Sequence, residues 1–122
     1  MEIDQRGRLQ DIREACRLVE SYVQGVSAET FFKNTEKQDA VIRRIEIIGE
    51  ATAHLSEATR AELPRLPFRQ MRGMRNIVAH DYGQVDALLV WKAATERIPE
   101  FRKILDEFFS DRPGTKPSPP LE

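Results

Sequence analysis

Two apolar stripes with the same 3-4-3-4-3 spacing, one near each end of the chain, leave little freedom in what this sequence can fold into. The first runs through Leu9, Ile12, Cys16, Val19, Val23 and Val26, the second through Trp91, Ala94, Ile98, Phe101, Leu105 and Phe108. Alternating steps of three and four follow the turn of an α-helix, so each stripe marks one face of a long helix that needs another apolar surface to cover it. Residues 4 to 24 therefore read as a first helix. Asp86 reads as the N-cap of the last, with Val85 packed on Val90 as a hydrophobic staple. Pro99 predicts a kink or brief break near Thr95 to Ile98.

The middle of the chain follows the same grammar. Ala28 to Lys33 suits a further turn, and Thr35-x-x-Gln38 has the form of a capping box opening a helix over about 36–55. Val41, Ile42, Ile45, Ile48 and Thr52 or Leu55 then point inward. Gly49 lies inside that helix, where glycine costs ~1 kcal/mol relative to alanine, and the close approach of another helix is the expected compensation. Ser56 caps a short helix over 57–63 that Pro64 ends, and Pro67 suits the first turn of a helix over 68–79. These pieces assemble into an all-α fold, an antiparallel up-and-down bundle of four main helices plus one short extra helix.

The chain has 122 residues, enough for one core, and the expected domain is residues 1–110. Beyond it, DRPGTKPSPP cannot bury apolar surface, so 111–122 reads as a disordered tail, with Leu121-Glu122 carrying no weight. Charged residues make up 32% against 40% hydrophobic, which suits amphipathic helices. No apolar run nears the ~20 residues of a membrane span, and MEIDQRGRLQ has no signal-peptide core, so the cytoplasm is the expected location. Cys16 alone cannot form an internal disulfide and sits at a buried stripe position. With only His54 and His80 beside it, neither a metal site nor any cofactor is expected. A net charge of −1 means that contact with nucleic acid must come from a local basic patch.

Such a patch exists. At roughly 100° per residue, Phe68, Met71, Met74 and Val78 fall on one side of the fourth helix, and Arg65, Arg69, Arg72, Arg75 and Asn76 on the other. This arginine face is either a solvated surface paired with nearby acids or a track for phosphates. It leads to His80 and Tyr82. On an unbroken helix Arg75 and His80 stand roughly 140° apart, so they flank a groove and need a facing surface, which a twofold copy of the same helix would supply. Cleaving RNA without metal requires the 2′-hydroxyl to lose a proton, the phosphorane to be stabilised and the 5′-oxygen to gain a proton. Histidine can move those protons, and arginine can hold the phosphate through its planar fork. The same residues also suit a histidine capping its helix and an arginine in a surface ion pair, and residue chemistry leaves both readings open. Tyr82, past the helix end, reads either as an exposed hydroxyl or as an aromatic plug.

Arg75-Asn76-Ile77-Val78-Ala79-His80-Asp81-Tyr82 resembles the Arg-x4-His-x-Tyr motif of the HepT-like family within the HEPN superfamily. Pro67-Phe68, Gly73-Met74-Arg75-Asn76, Tyr82-Gly83, Val85-Asp86, Trp91 and Ile47-Ile48-Gly49-Glu50-Ala51 resemble that family's pattern too, over about residues 5 to 109. The resemblance implies a homodimeric helical bundle acting as a ribonuclease toxin, with RNA as substrate and tRNA among the candidates. It implies a partner as well, an MntA-type nucleotidyltransferase antitoxin that moves AMP from ATP onto Tyr82. Carried over by position, Arg75 and His80 are the catalytic pair, Asn76 orients the scissile phosphate and Tyr82 is the modified residue. Arg65, Arg69 and Arg72 are the expected RNA contacts, and Glu46 and Glu50 are auxiliary groups at most. Gly83 stands where relatives commonly carry an aromatic. Two other classes remain: a non-catalytic interaction module whose cleft binds a nucleotidyltransferase or nucleotide, and a purely structural bundle.

Overall fold

The computed structural model describes residues 1–78 and 86–110, and every regular element among them is helical. The order is α1 (Ile3–Val23), α2 (Ala28–Phe32), α3 (Thr35–Ala53), α4 (Glu57–Ala61), α5 (Phe68–Gly73), α6 (Arg75–Val78), α7 (Ala87–Lys92), a π-turn (Ala93–Arg97) and α8 (Ile98–Ser110). Helix α1 packs along α3 on one side and α8 on the other, while α3 also carries α5 and α6. The long helices thus form the expected bundle. None of the described helices is long and apolar enough to cross a membrane.

Both stripes are buried along most of their length, Leu9 to Val19 and Ala94 to Leu105, with Val23, Val26, Trp91 and Phe108 at their ends partly buried against the core. Leu9, Ile12, Cys16 and Val19 of α1 meet Val41, Ile45 and Ile48 of α3 and Ile98, Phe101 and Leu105 of α8 in one core. Burial also pushes the Cys16 thiol far above its usual range, because a thiolate there would have to shed its hydration, and this leaves it a small apolar side chain. Gln5 fixes the antiparallel register of α1 and α3. Its Nε2 donates to the His54 carbonyl at 3.1 Å and its Oε1 accepts from the Ser56 amide at 2.7 Å, so one buried amide satisfies backbone groups where α3 ends and α4 begins. Gly25, at φ +72°, closes the end of α1 in the left-handed conformation that costs glycine little.

Local details depart from the sequence expectations at three places. Asn34, not Thr35, caps α3: its side chain accepts from the Lys37 amide at 2.9 Å. Gln38 turns away and donates to the carbonyls of Phe31 and Phe32, closing the C-terminal end of α2 instead of returning a capping-box bond. The helix expected over 68–79 is interrupted at Met74, whose amide bonds three residues back to Met71 in a tighter turn next to Gly73, the weakest helix former of the run. Around Pro99 the helix widens where a kink or break was expected. Pro99 has no amide to give, and the ladder makes room for its ring through the π-turn, in which the Ile98 amide reaches five residues back to Ala93. Thr95 adds a hydroxyl bond to the Trp91 carbonyl at 2.8 Å. The second stripe is consequently closed by Val90 and Phe109, fully buried, with Trp91 and Phe108 half-buried beside them. Asp86 and Ser56 cap α7 and α4 as expected. The Val85 staple and the 111–122 tail lie outside the described residues.

Candidate nucleic-acid interface

The short α5–α6 segment is anchored from below. Met71 and Met74 are buried in the core and Phe68 packs against it, so the helical turn leaves Arg69, Arg72, Arg75 and Asn76 exposed. Gly49 of α3 provides the seat. A Cβ at that position would collide with Cγ of Arg75, and would stand 3.2 Å from its Cδ and 3.5 Å from the Arg72 carbonyl. The glycine therefore lets the aliphatic stem of Arg75 lie directly on the α3 backbone, which is the close approach its place in the helix predicts.

Arg60, Phe68, Arg69, Arg72, Arg75 and Asn76 line an open groove of about 510 Å³. Among the described residues no carboxylate lines it, and Arg69, Arg72 and Arg75 form no ion pair there. Four guanidinium groups with no counter-charge among the described residues make this surface suited to an anion, and their planar forks suit phosphate oxygens. A larger groove of about 650 Å³ lies between α1 and the π-turn and α8. There, Arg17 and Arg102 share the walls with Glu20 and Asp106, so its charges already balance. Size alone favours that second groove; charge favours the first.

The structure sorts the residues that the sequence nominates. Arg69, Arg72, Arg75 and Asn76 come together. Arg65 does not join them: it bonds Glu107 of α8 at 2.5 Å and lines a separate, smaller cavity with Phe108. Glu46 pairs with Arg43 at 3.7 Å, and neither Glu46 nor Glu50 lines the arginine groove. His80 and Tyr82 lie outside the described residues, a few positions beyond α6. No group of His, Cys, Asp and Glu among the described residues could hold a metal ion. Sequence reasoning missed Arg60 and the groove-lining role of Phe68. Arg60 belongs to the short α4, and nothing in its local pattern signals that the chain brings it into one groove with Arg72.

Comparison with known proteins places the chain among ribonucleases of one family. A probable ribonuclease HepT of Thermococcus cleftensis is 37% identical over 94 residues, 77% of this chain and 86% of the relative. A Methanocaldococcus jannaschii protein named "Putative RNase" is 35% identical over 100 residues, 82% of this chain and 92% of its own length. Another of that name from Caldanaerobacter subterraneus subsp. tengcongensis is 32% identical over 102 residues, 84% of this chain and 91% of the relative. No solved structure matches the chain. The model of one family, described as ribonuclease HepT-like, matches residues 12–108, most of the described helical bundle. The chain belongs to the ribonuclease HepT-like family.

Proposed function

We propose that this chain is a metal-independent endoribonuclease acting as the toxin of a toxin–antitoxin pair, with Arg75 and His80 as its catalytic residues. The observation that carries the reading is the arginine groove that includes Arg75, unpaired among the described residues, with the stem of Arg75 seated on Gly49. Arg75 holds the scissile phosphate and matches the charge that grows on it as the 2′-oxygen bonds to phosphorus and the bond to the 5′-oxygen breaks. Asn76, adjacent on α6, orients that phosphate. His80 takes the 2′-hydroxyl proton, and a second copy across a homodimer cleft returns one to the departing 5′-oxygen, so that the protons balance. Such a reaction leaves a 2′,3′-cyclic phosphate and a 5′-hydroxyl.

Tyr82, two residues beyond His80, fits an off-switch. An MntA-type nucleotidyltransferase would transfer AMP from ATP to its hydroxyl, and the added phosphate would then compete with RNA for Arg75. tRNA is a fitting substrate for a toxin of this kind, and the cytoplasm the place where it would meet one. The test is induction of wild type, His80→Ala and Tyr82→Phe, each with and without the neighbouring nucleotidyltransferase. Wild type is expected to arrest growth and cleave RNA, His80→Ala to do neither, and Tyr82→Phe to stay toxic when the partner is present. Equal toxicity of wild type and His80→Ala would remove the catalytic assignment. Partner binding with RNA left intact would make the chain an interaction module.

A further inference from the structure

We infer that the groove beside Arg75 is a nucleotide subsite for single-stranded RNA, in which Phe68 stacks a base and Arg60, with Arg69 and Arg72, grips the neighbouring phosphate. The inference rests on the ribonuclease reading and assigns substrate class and contacts to the part of the groove around Phe68 and Arg60, next to Arg75.

Three observations carry it. The first is the placement of an aromatic ring among cations: Phe68 packs partly on the core, and what remains exposed lines the same groove as the guanidinium groups. A ring held on one side and open on the other is a stacking platform, and a neighbouring arginine grips phosphate, the two components from which sites for unpaired strands are built. The second is the origin of the cations. Arg60 comes from α4, Arg69 and Arg72 from α5 and Arg75 from α6, so three elements line one groove, and Arg60 is pre-positioned by an Nη1 bond to the Leu55 carbonyl at 3.1 Å. A guanidinium already oriented loses less freedom when it meets a phosphate.

The third is size and shape. At about 510 Å³ the groove falls within the usual range of small-molecule sites, suited to one nucleotide and not to a helix. Bases in an A-form duplex are stacked on each other and offer no free face to Phe68. A single strand does, so the subsite would make the enzyme prefer unpaired ends and loops.

The experiment uses the full chain and a fluorescent, 2′-O-methylated oligoribonucleotide that cannot be cleaved, presented alone or annealed to its complement. Anisotropy titrations are run across a range of salt. Wild type is expected to bind the single strand more tightly than the duplex. Phe68→Leu should weaken single-strand binding about tenfold, the scale of losing one base stack, with an unchanged salt dependence. Phe68→Tyr should restore it. Arg60→Gln and Arg69→Gln should each lower the slope of log K against log salt by about 0.7, the value for one phosphate contact on a single strand. Arg17→Gln, from the charge-balanced groove, should change nothing. Because Phe68 also touches the core, circular dichroism establishes that its variants are folded, and exposed Arg69 gives a second variant without that burden. Equal binding by Phe68→Leu and wild type, or no preference for the single strand, overturns the subsite. If RNA is cleaved normally while Phe68→Leu binds as wild type, the subsite fails and the ribonuclease stands. If nothing is cleaved yet single-strand binding depends on Phe68 and Arg60, the ribonuclease fails and the subsite stands.

Discussion

Arginines at the α1–α8 seam and arginines on the α5–α6 face are the same side chain put to opposite uses. At the seam, Arg102 forks onto Glu20 at 2.8 and 2.9 Å and reaches Asp106 at 3.1 Å, while Arg13 bonds the other oxygen of Asp106 at 2.5 Å. Arg13 also lies over the Phe109 ring, 5.3 Å from its centroid. On the α5–α6 face, Arg69, Arg72 and Arg75 have no acid to meet among the described residues. Paired arginines stabilise the fold; unpaired ones leave a local positive field that a polyanion can neutralise. The overall charge of −1 averages the two and conceals both.

The sharpest way to break this contrast is at the seam. Arg102→Met should cost about 2 kcal/mol, between the value of an exposed pair and that of a buried one, because it leaves Glu20 without its bidentate partner. Chemical denaturation measures it. Arg72→Met on the open face should stay within about 0.5 kcal/mol of wild type, as expected of a surface position. Equal losses at the two sites would end the distinction.

A smaller net change is expected at Gly49, which joins the arginine face to the core. Gly49→Ala gains ~1 kcal/mol of helix propensity but overpacks Arg75 at a typical cost of about 1–3 kcal/mol, so overpacking wins by about 1 kcal/mol. The displaced Arg75 should lower RNA cleavage more than this loss of stability explains. A variant with normal melting and normal cleavage would show that the seat is not needed.

The smallest effect is a pH dependence confined to the seam. Burial of Asp106 opposes its ionisation, yet hydrogen bonds from Arg13 and Arg102 outweigh burial and hold its carboxyl below the ordinary range. A depressed folded pKa gives stability that is fully present above the unfolded value of about 4 and is lost as pH falls through the folded one. Asp106→Asn should therefore be less stable than wild type at neutral pH and lose less on acidification below about pH 4. Parallel acid-unfolding curves for the two proteins would contradict the pairing.

Much of this molecule was legible from its letters because helix periodicity is local. The stripe from Leu9 to Val19 is buried as its spacing demands, Asp86 and Ser56 cap where capping chemistry puts them, and Gly49 announced a close neighbour without naming it. Details failed where two local solutions were nearly equal in energy. Asn34 and Thr35 both cap well, and the packing of α2 onto α3 gave Gln38 better acceptors in Phe31 and Phe32. At the candidate site, Arg69, Arg72, Arg75 and Asn76 were visible as one helix face, while Arg65 on the same angular reading went instead to Glu107, more than 40 residues away in sequence.

By itself the sequence determined that the chain is an amphipathic helical bundle, which residues form its core and which motif it carries, since each of these depends on spacing within a few turns. Only the tertiary structure decided which arginines are spent in ion pairs and which stay open. The seam partners Arg13 and Asp106 are 93 positions apart and Arg102 and Glu20 are 82, so no local pattern relates them. An ion pair depends on distance in space, and the packing of α8 against α1 sets that distance.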